Sequence, residues 1–267
     1  MISLLDSLRD AIALCRFCSS RNLEIGLAIL LSAVLVIHWA QSSSGRLPEM
    51  TAYPAGAERK QTFFGFMEPI IDMQNTKIMR DREALLEISR DLEAGKRASL
   101  LQSLKLQSLA ERYRVEWYPE NLVEVAYELE LRIDFVPVSL VVVQAAKESG
   151  WGTSRFAREG NNLFGEWCYR KGCGMVPSQR RAGARHEVRV FDSVEDSVIA
   201  YMHNINTGRA YGALRELRAQ SRRDGATANG LKLADGLIFY SQRRQAYVDE
   251  VKAMIRQYLE FCGGGSE

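Results

Sequence analysis

The chain lacks a strong charge, a histidine cluster and any internal repeat. Its 35 Lys and Arg face 33 Asp and Glu, leaving a net charge of +2. That is too little to argue for nucleic acid, and a weakly basic surface suits an anionic polymer without singling one out. Three histidines are present. His186 and His203 have no metal-ligand companions at helical spacing, so structural or surface roles are expected for them. Cysteines number five. What is plentiful is ordinary core material, with 46% of residues hydrophobic and 25% charged. In 267 residues this suffices for one good-sized domain with an appendage, or two small domains.

Ile25 to Ala40 reads IGLAILLSAVLVIHWA, with no charge inside it. Arg9, Arg16 and Arg21 precede it, and Ser42-Ser43-Ser44-Gly45 follows. Positive residues on the N-terminal side predict that residues 1–24 stay in the cytoplasm and that 25–40 anchors the chain in a membrane. The run is slightly short of the roughly 17 to 25 residues of a span, and Leu23 and Glu24 extend it. A cleaved signal segment competes, but His38 stands where a small residue is wanted before Ala40. A single uncleaved anchor is therefore expected, and either reading exports the rest. Cys15 and Cys18 then face the cytoplasm as reduced, incidental thiols. Cys168 and Cys173 fall in the exported part, where a local disulfide closing a tight loop is expected. Zinc would need more ligands than that segment offers. Cys262 is left over and free.

Residues 41–60 hold Ser, Gly, Pro48, Pro54 and Gly56 and read as a linker. A helical appendage is expected over 61–118. Phe63, Phe64, Phe66, Met67, Ile70 and Ile71 start it, with Pro69 as an interruption. Ile78, Leu85, Leu86, Ile88 and Leu92 continue it at helical spacing. After Gly95 comes a second stripe of Leu100, Leu101, Leu104, Leu106 and Leu109. A helical hairpin packed on the main domain is the expected reading, with a protein partner docking on these stripes as the alternative. The main domain is placed at 119–262. Asn121 to Leu131 reads as a helix. Pro137 opens Val138 to Glu148, where three valines argue for a strand and the leading proline and the length argue for a helix. Glu187 to Phe191 alternates polar with apolar, predicting a small hairpin lobe. Ser193 begins a capping box for a helix to about Ile205. Further helices are expected near 210–222, 229–239 and 243–260, with a disordered tail at 263–267.

The most informative stretch is Gln144-Ala145-Ala146-Lys147-Glu148-Ser149-Gly150-Trp151-Gly152, followed by Asn161-Asn162-Leu163-Phe164-Gly165. One Glu ends an apolar run, and two glycine-rich turns follow. That order projects a single carboxyl into a cleft of aromatic and amide side chains, which suits sugar. A carboxyl beside an indole suits general acid catalysis, because burial against Trp151 disfavours its charged form. The plain alternative is a Glu that accepts hydrogen bonds from the glycine turn.

These residues resemble the glucosaminidase domain of glycoside hydrolase family 73, in its Bax-type branch, a relative of the flagellum-associated glucosaminidases. The runs that carry the resemblance are QAAKESGWGTSRFAREGNNLFGEWC, GCGMVP, HEVRVFDSVEDSVIAYMHNINT and YSQRRQAYVDEVKAMI. Residues 61–92 are similar to the helical region that precedes the domain in that branch. The resemblance decides for a helix at 138–148. It implies a lysozyme-like, mainly α (α+β) domain with a small β-hairpin lobe, preceded by the anchor and the helical hairpin. The implied substrate is peptidoglycan, cleaved at the β-1,4 bond after N-acetylglucosamine. Glu148 matches the family's general acid.

A second acid is less easily found. Glu187, in the predicted lobe, is the candidate, with a solvated strand residue as its alternative. The flagellum-associated members carry their second acid earlier, and here Pro177 to Gly183 holds none. Assistance by the substrate's own N-acetyl group is the other route. Tyr240 matches a tyrosine near the family's catalytic Glu and is the candidate orienting group. Asn161 and Asn162 are candidate donors to sugar oxygens, though one is expected to serve the turn in a left-handed conformation. Phe164 and Trp167 are candidate stacking platforms, and Glu166 is a spare acid. No metal or organic cofactor is called for. Lytic transglycosylases and muramidases are competing readings, but they usually follow the Glu with Gly-Leu-Met-Gln, where this chain has Asn-Leu-Phe-Gly. A non-catalytic wall-binding scaffold is the other.

Overall fold

The computed structural model describes residues 45–178, 180 and 183–263. The expected anchor at 25–40, the 1–24 segment with Cys15 and Cys18, and the tail beyond 263 lie outside the described residues. Among the described residues no helix is long and apolar enough to cross a membrane. Leu47–Glu267 forms one unit.

Helix α1, Ala57–Glu93, runs 37 residues straight through Pro69. The expected interruption does not occur. Proline inside a helix costs about 3 kcal/mol, but Met67, Ile70 and Ile71 beside it are all buried. Burying such side chains contributes roughly 1.5–3 kcal/mol each, which outweighs the lost hydrogen bond. Helix α2, Leu100–Tyr113, starts at a capping box between Ser99 and Gln102. Its stripe divides: Leu106 and Leu109 are buried, whereas Leu100, Leu101 and Leu104 are exposed. Helix α3, Leu122–Arg132, is capped by the Asn121 side chain.

Helix α4, Val138–Ser149, follows Pro137 and is buried from Ser139 to Ala146. The three valines take helical geometry because the segment is enclosed on several sides: α1 and the last helix both pack on it. A short helix α5, Arg155–Gly160, follows. The lobe has strands β1 (Trp167–Cys168), β2 (Gly174–Met175) and β3 (Glu187–Arg189) in the order β1-β3-β2. Both pairings are antiparallel, with Cys168 opposite Glu187 and Gly174 opposite Arg189. Helix α6, Val194–Thr207, is capped by Ser193 as expected. Helix α7 is Gly212–Arg223. The helix expected at 229–239 is instead a single α turn, α8 at Gly230–Leu233, and a 3-10 turn at Ala234–Leu237. Helix α9, Gln245–Phe261, closes the fold.

The stretches read as linker and appendage both pack on the main domain. Within the segment read as a linker, Met50 is fully buried in a 3-10 turn and α1 already begins at Ala57. The helices read as an appendage share one hydrophobic core with the rest, from Phe63 through Leu140 to Ile255. A buried charge cluster ties that core together at the α3–α4 junction. Asp134 is 2% exposed, and Arg222 donates to both its oxygens at 2.7 and 3.0 Å. Arg82 lies 3.7 Å from it and Arg218 4.0 Å. Arg218 also donates to the carbonyls of Leu131, Arg132, Asp134 and Phe135, and Arg82 to those of Glu130 and Ile133, so two guanidinium groups satisfy the orphan acceptors at the end of α3.

Candidate active site

Glu148 is the penultimate residue of α4. The helix stops at Gly150, whose φ of 59° is left-handed, and Trp151 donates its N–H back to the Ala146 carbonyl at 2.8 Å. Ser149 Oγ accepts from Gly152 N at 2.7 Å and donates to the Ala145 carbonyl. These bonds fix the turn beneath the acid. There is no room for a side chain at Gly152: a Cβ would lie 2.6 Å from Leu47 and 2.9 Å from Met50. The plain alternative, that the turn's amides bind Glu148, is not what the bonds around it do; Ser149 takes that part.

The Glu148 side chain is open to solvent, yet the protein crowding it from the sides raises its carboxyl above the usual range. The hydrogen bond from Tyr247 and the charge of Lys147 act in the opposite sense and are outweighed. Tyr247 OH donates to Oε1 at 2.8 Å. Gln144 Nε2 donates to the same hydroxyl at 2.9 Å, and Tyr201 OH donates to Gln144 Oε1. Phe164 stacks on Tyr201 with centroids 3.9 Å apart. Its carbonyl accepts from Tyr240, whose ring stacks on Tyr247 at 5.1 Å. The result is a closed circuit of bonds and stacked rings from α4 through α6 and the Asn-Leu-Phe-Gly turn to α9. It fixes the rotamer of the acid.

Several residues sit otherwise than the sequence led one to expect. Tyr240 belongs to the circuit, but the tyrosine that touches Glu148 is Tyr247. Phe164 is 4% exposed and packs in the core against Tyr201. The Trp151 ring contacts Phe63, Phe64 and Lys60 of α1. Asn161 takes the left-handed turn position, with φ of 50°. Asn162 is 2% exposed and its amide is used internally, donating to the carbonyls of Glu166 and Arg189 and accepting from Glu166 N. Trp167 is 55% exposed and stacks on His186 at 4.0 Å, so it alone of the expected platforms offers a ring to solvent.

Glu187 is buried in the lobe and held by backbone amides. Its two oxygens accept the N–H groups of Gly172 and Gly174 at 3.1 and 2.9 Å, which hold its carboxyl below the usual range. Those glycines flank Cys173, which is bonded to Cys168 across a Cα separation of 6.2 Å. Glu187 is thus the pin of the disulfide loop. The two sulfurs and this carboxylate come within 4.8 Å of one another. Sulfurs joined to each other and oxygens already bound to amides make a poor ligand set for a metal ion.

Glu166 differs. Burial raises its carboxyl, with Arg189 and Arg114 acting against that. It borders a polar cavity of about 610 Å³, whose walls also include Arg114, Trp167, Arg189 and Asn204. Glu148 is not among those walls. Tyr211 and Tyr240, though, are held protonated beyond the usual tyrosine range by burial first, and also by the charges of both Glu148 and Glu166.

Residues 123–260 match the family described as "Glucosaminidase: Mannosyl-glycoprotein endo-beta-N-acetylglucosaminidase". The chain belongs to the glucosaminidase family. Over 216 residues it is 36% identical to "Protein bax" of Escherichia coli (strain K12), an overlap covering 80% of this chain and 74% of that protein. It is thus a Bax-type glucosaminidase-domain protein. No solved structure matches the chain. Membership brings glycosidase chemistry and a glycan as the class of substrate, and the matched span contains Glu148, Glu166 and Tyr247.

Proposed function

We propose that this glucosaminidase-domain protein is an endo-β-N-acetylglucosaminidase of peptidoglycan, cleaving the β-1,4 bond after N-acetylglucosamine. Glu148 is the general acid. The observation that carries this reading is one carboxyl, open to solvent at a helix end, raised by the protein around it and oriented by Tyr247. Glycosidic cleavage needs such a group, because a proton must reach the leaving oxygen near neutral pH. The exposed Trp167 ring offers sugar a stacking face. An uncleaved anchor at 25–40 would hold the domain on the periplasmic side of the inner membrane, beside this polymer.

The test is mass spectrometry of peptidoglycan digested by the full chain and by Glu148→Gln. Reducing N-acetylglucosamine ends from the unsubstituted chain are expected. A rate lower by about 10²–10⁴-fold is expected from the variant. Muramic or anhydro-muramic ends would instead make the protein a muramidase or transglycosylase. Binding of peptidoglycan without any product would leave a scaffold.

A further inference from the structure

Among the described residues, Glu166 is the one carboxylate with a buried oxygen that has no donor: Oε1 is enclosed and unpartnered. The nearest cation is Arg189 Nη1, 4.0 Å from the other oxygen. Buried carboxylates elsewhere are satisfied, Asp134 by arginines and Glu187 by amides. A buried acceptor left unpaired carries a desolvation cost and calls for an explanation. The Glu166 backbone is clamped by Asn162 at 2.9 and 3.0 Å, and Arg189 N donates to its carbonyl at 2.9 Å. Asn162 gives its whole amide to this task and to the Arg189 carbonyl. The protein holds Glu166 rigidly and leaves its carboxylate under-bonded.

Its position adds chemistry to that. Glu148 ends the helix α4, and Glu166 stands at the root of the lobe, immediately before β1. Tyr240 spans the two: its ring stacks on Tyr247, which bonds Glu148, and its hydroxyl donates to the carbonyl of Phe164, two residues before Glu166. Glu166 has Trp167 beside it and borders a polar cavity with room for water. We infer that Glu166 is the general base of the cleavage, a role that rests on the glycosidase reading above. Its carboxylate takes a proton from a water molecule, and the water oxygen bonds to the anomeric carbon. The bond from that carbon to the leaving oxygen breaks, its electron pair staying on the oxygen, which takes the proton of Glu148. Glu166 ends protonated and Glu148 ionised, and one proton returned through solvent resets both. Because water attacks directly, the product is the α-anomer. Burial brings the carboxyl of Glu166 nearer to working pH, where a base is most effective, and Arg189 and Arg114 favour its ionised form.

The full chain, Glu166→Gln and Glu166→Ala are compared on peptidoglycan, with melting temperatures beside the rates. A rate loss of about 10²-fold or more is expected for Glu166→Gln, at an unlowered melting temperature and with the acidic limb of the pH profile gone. Azide should restore part of the Glu166→Ala rate and yield the α-glycosyl azide. Activity of Glu166→Gln within threefold of the unsubstituted chain would overturn the role, as would a Glu166→Ala rate that azide leaves unmoved, or a β-glycosyl azide. No cleavage by the unsubstituted chain would remove the glycosidase reading itself, and this role with it.

Discussion

Asp134 and Glu166 are both carboxylates taken largely out of water, and the protein treats them in opposite ways. Burial raises Asp134, but the Arg222 hydrogen bonds and the charges of Arg218 and Arg82 outweigh it and leave the carboxyl below the usual range. Burial raises Glu166, and two more distant arginines do not offset it. The first arrangement joins helices α1, α3, α4 and α7 through one anion. In the second, an acid stands on a clamped backbone with an acceptor to spare. Buried charge that is fully paired serves architecture, while buried charge left under-bonded is poised to take a proton.

The largest effect should come from breaking the paired site. Asp134→Ala would leave three guanidinium groups without their anion, and truncating one partner of a buried pair typically costs about 3–5 kcal/mol. Urea unfolding should show that loss, and a midpoint near that of the unsubstituted chain would mean that Arg218 holds the junction through carbonyls alone. Next in size is the lobe. Glu187→Gln should lower the melting temperature and make the Cys168–Cys173 bond easier to reduce, with the rate per folded molecule largely kept. A variant as stable as the parent but inactive would return Glu187 to the catalytic machinery.

The comparison sharpens with pH. The folded Asp134 carboxyl lies below its unfolded value of about 3.9. Its contribution is therefore present above that value and lost as pH falls through the lowered folded one. Glu166 lies above its unfolded value of about 4.3, so it costs stability as pH rises past that point, and the cost is complete above its folded value. Glu166→Gln should accordingly melt level with the parent near about pH 4 and above it near about pH 7, by calorimetry. A variant less stable at both would show Glu166 to be structural. The smallest effect is expected from Tyr247→Phe. Its hydroxyl favours the ionised form of Glu148, so its loss should raise that carboxyl further and move the alkaline limb of kcat/KM upward, with a severalfold change in rate. An unmoved limb would show that the bond does not tune the acid.

Much of this was legible where the determinant is local. Ser193 and Asn121 cap the helices that their positions announced, and Gly150 ends α4 beside Glu148 as the glycine break required. The Asn pair gave one left-handed turn residue. Illegible features depend on partners far along the chain. Tyr247 reaches Glu148 from 99 residues away, and nothing around Tyr240 told the two tyrosines apart. Pro69 read as a break because the burial that carries α1 through it is tertiary. Glu187 had the alternation of a strand, but the amides that occupy it come from the disulfide loop. One signal was available and missed: Gln144 is polar in an apolar run and lies four residues before Glu148, on the same helix face.

Leu47 and Met50 lie against Gly152, in the turn that ends α4. The match to the family begins at residue 123, yet the floor beneath the acid's turn comes from the segment just after Arg46. Homology and foldable unit therefore have different borders in this protein. A fragment trimmed to the matched span would keep Glu148, Glu166 and Tyr247 and lose the ground beneath the turn that follows Glu148.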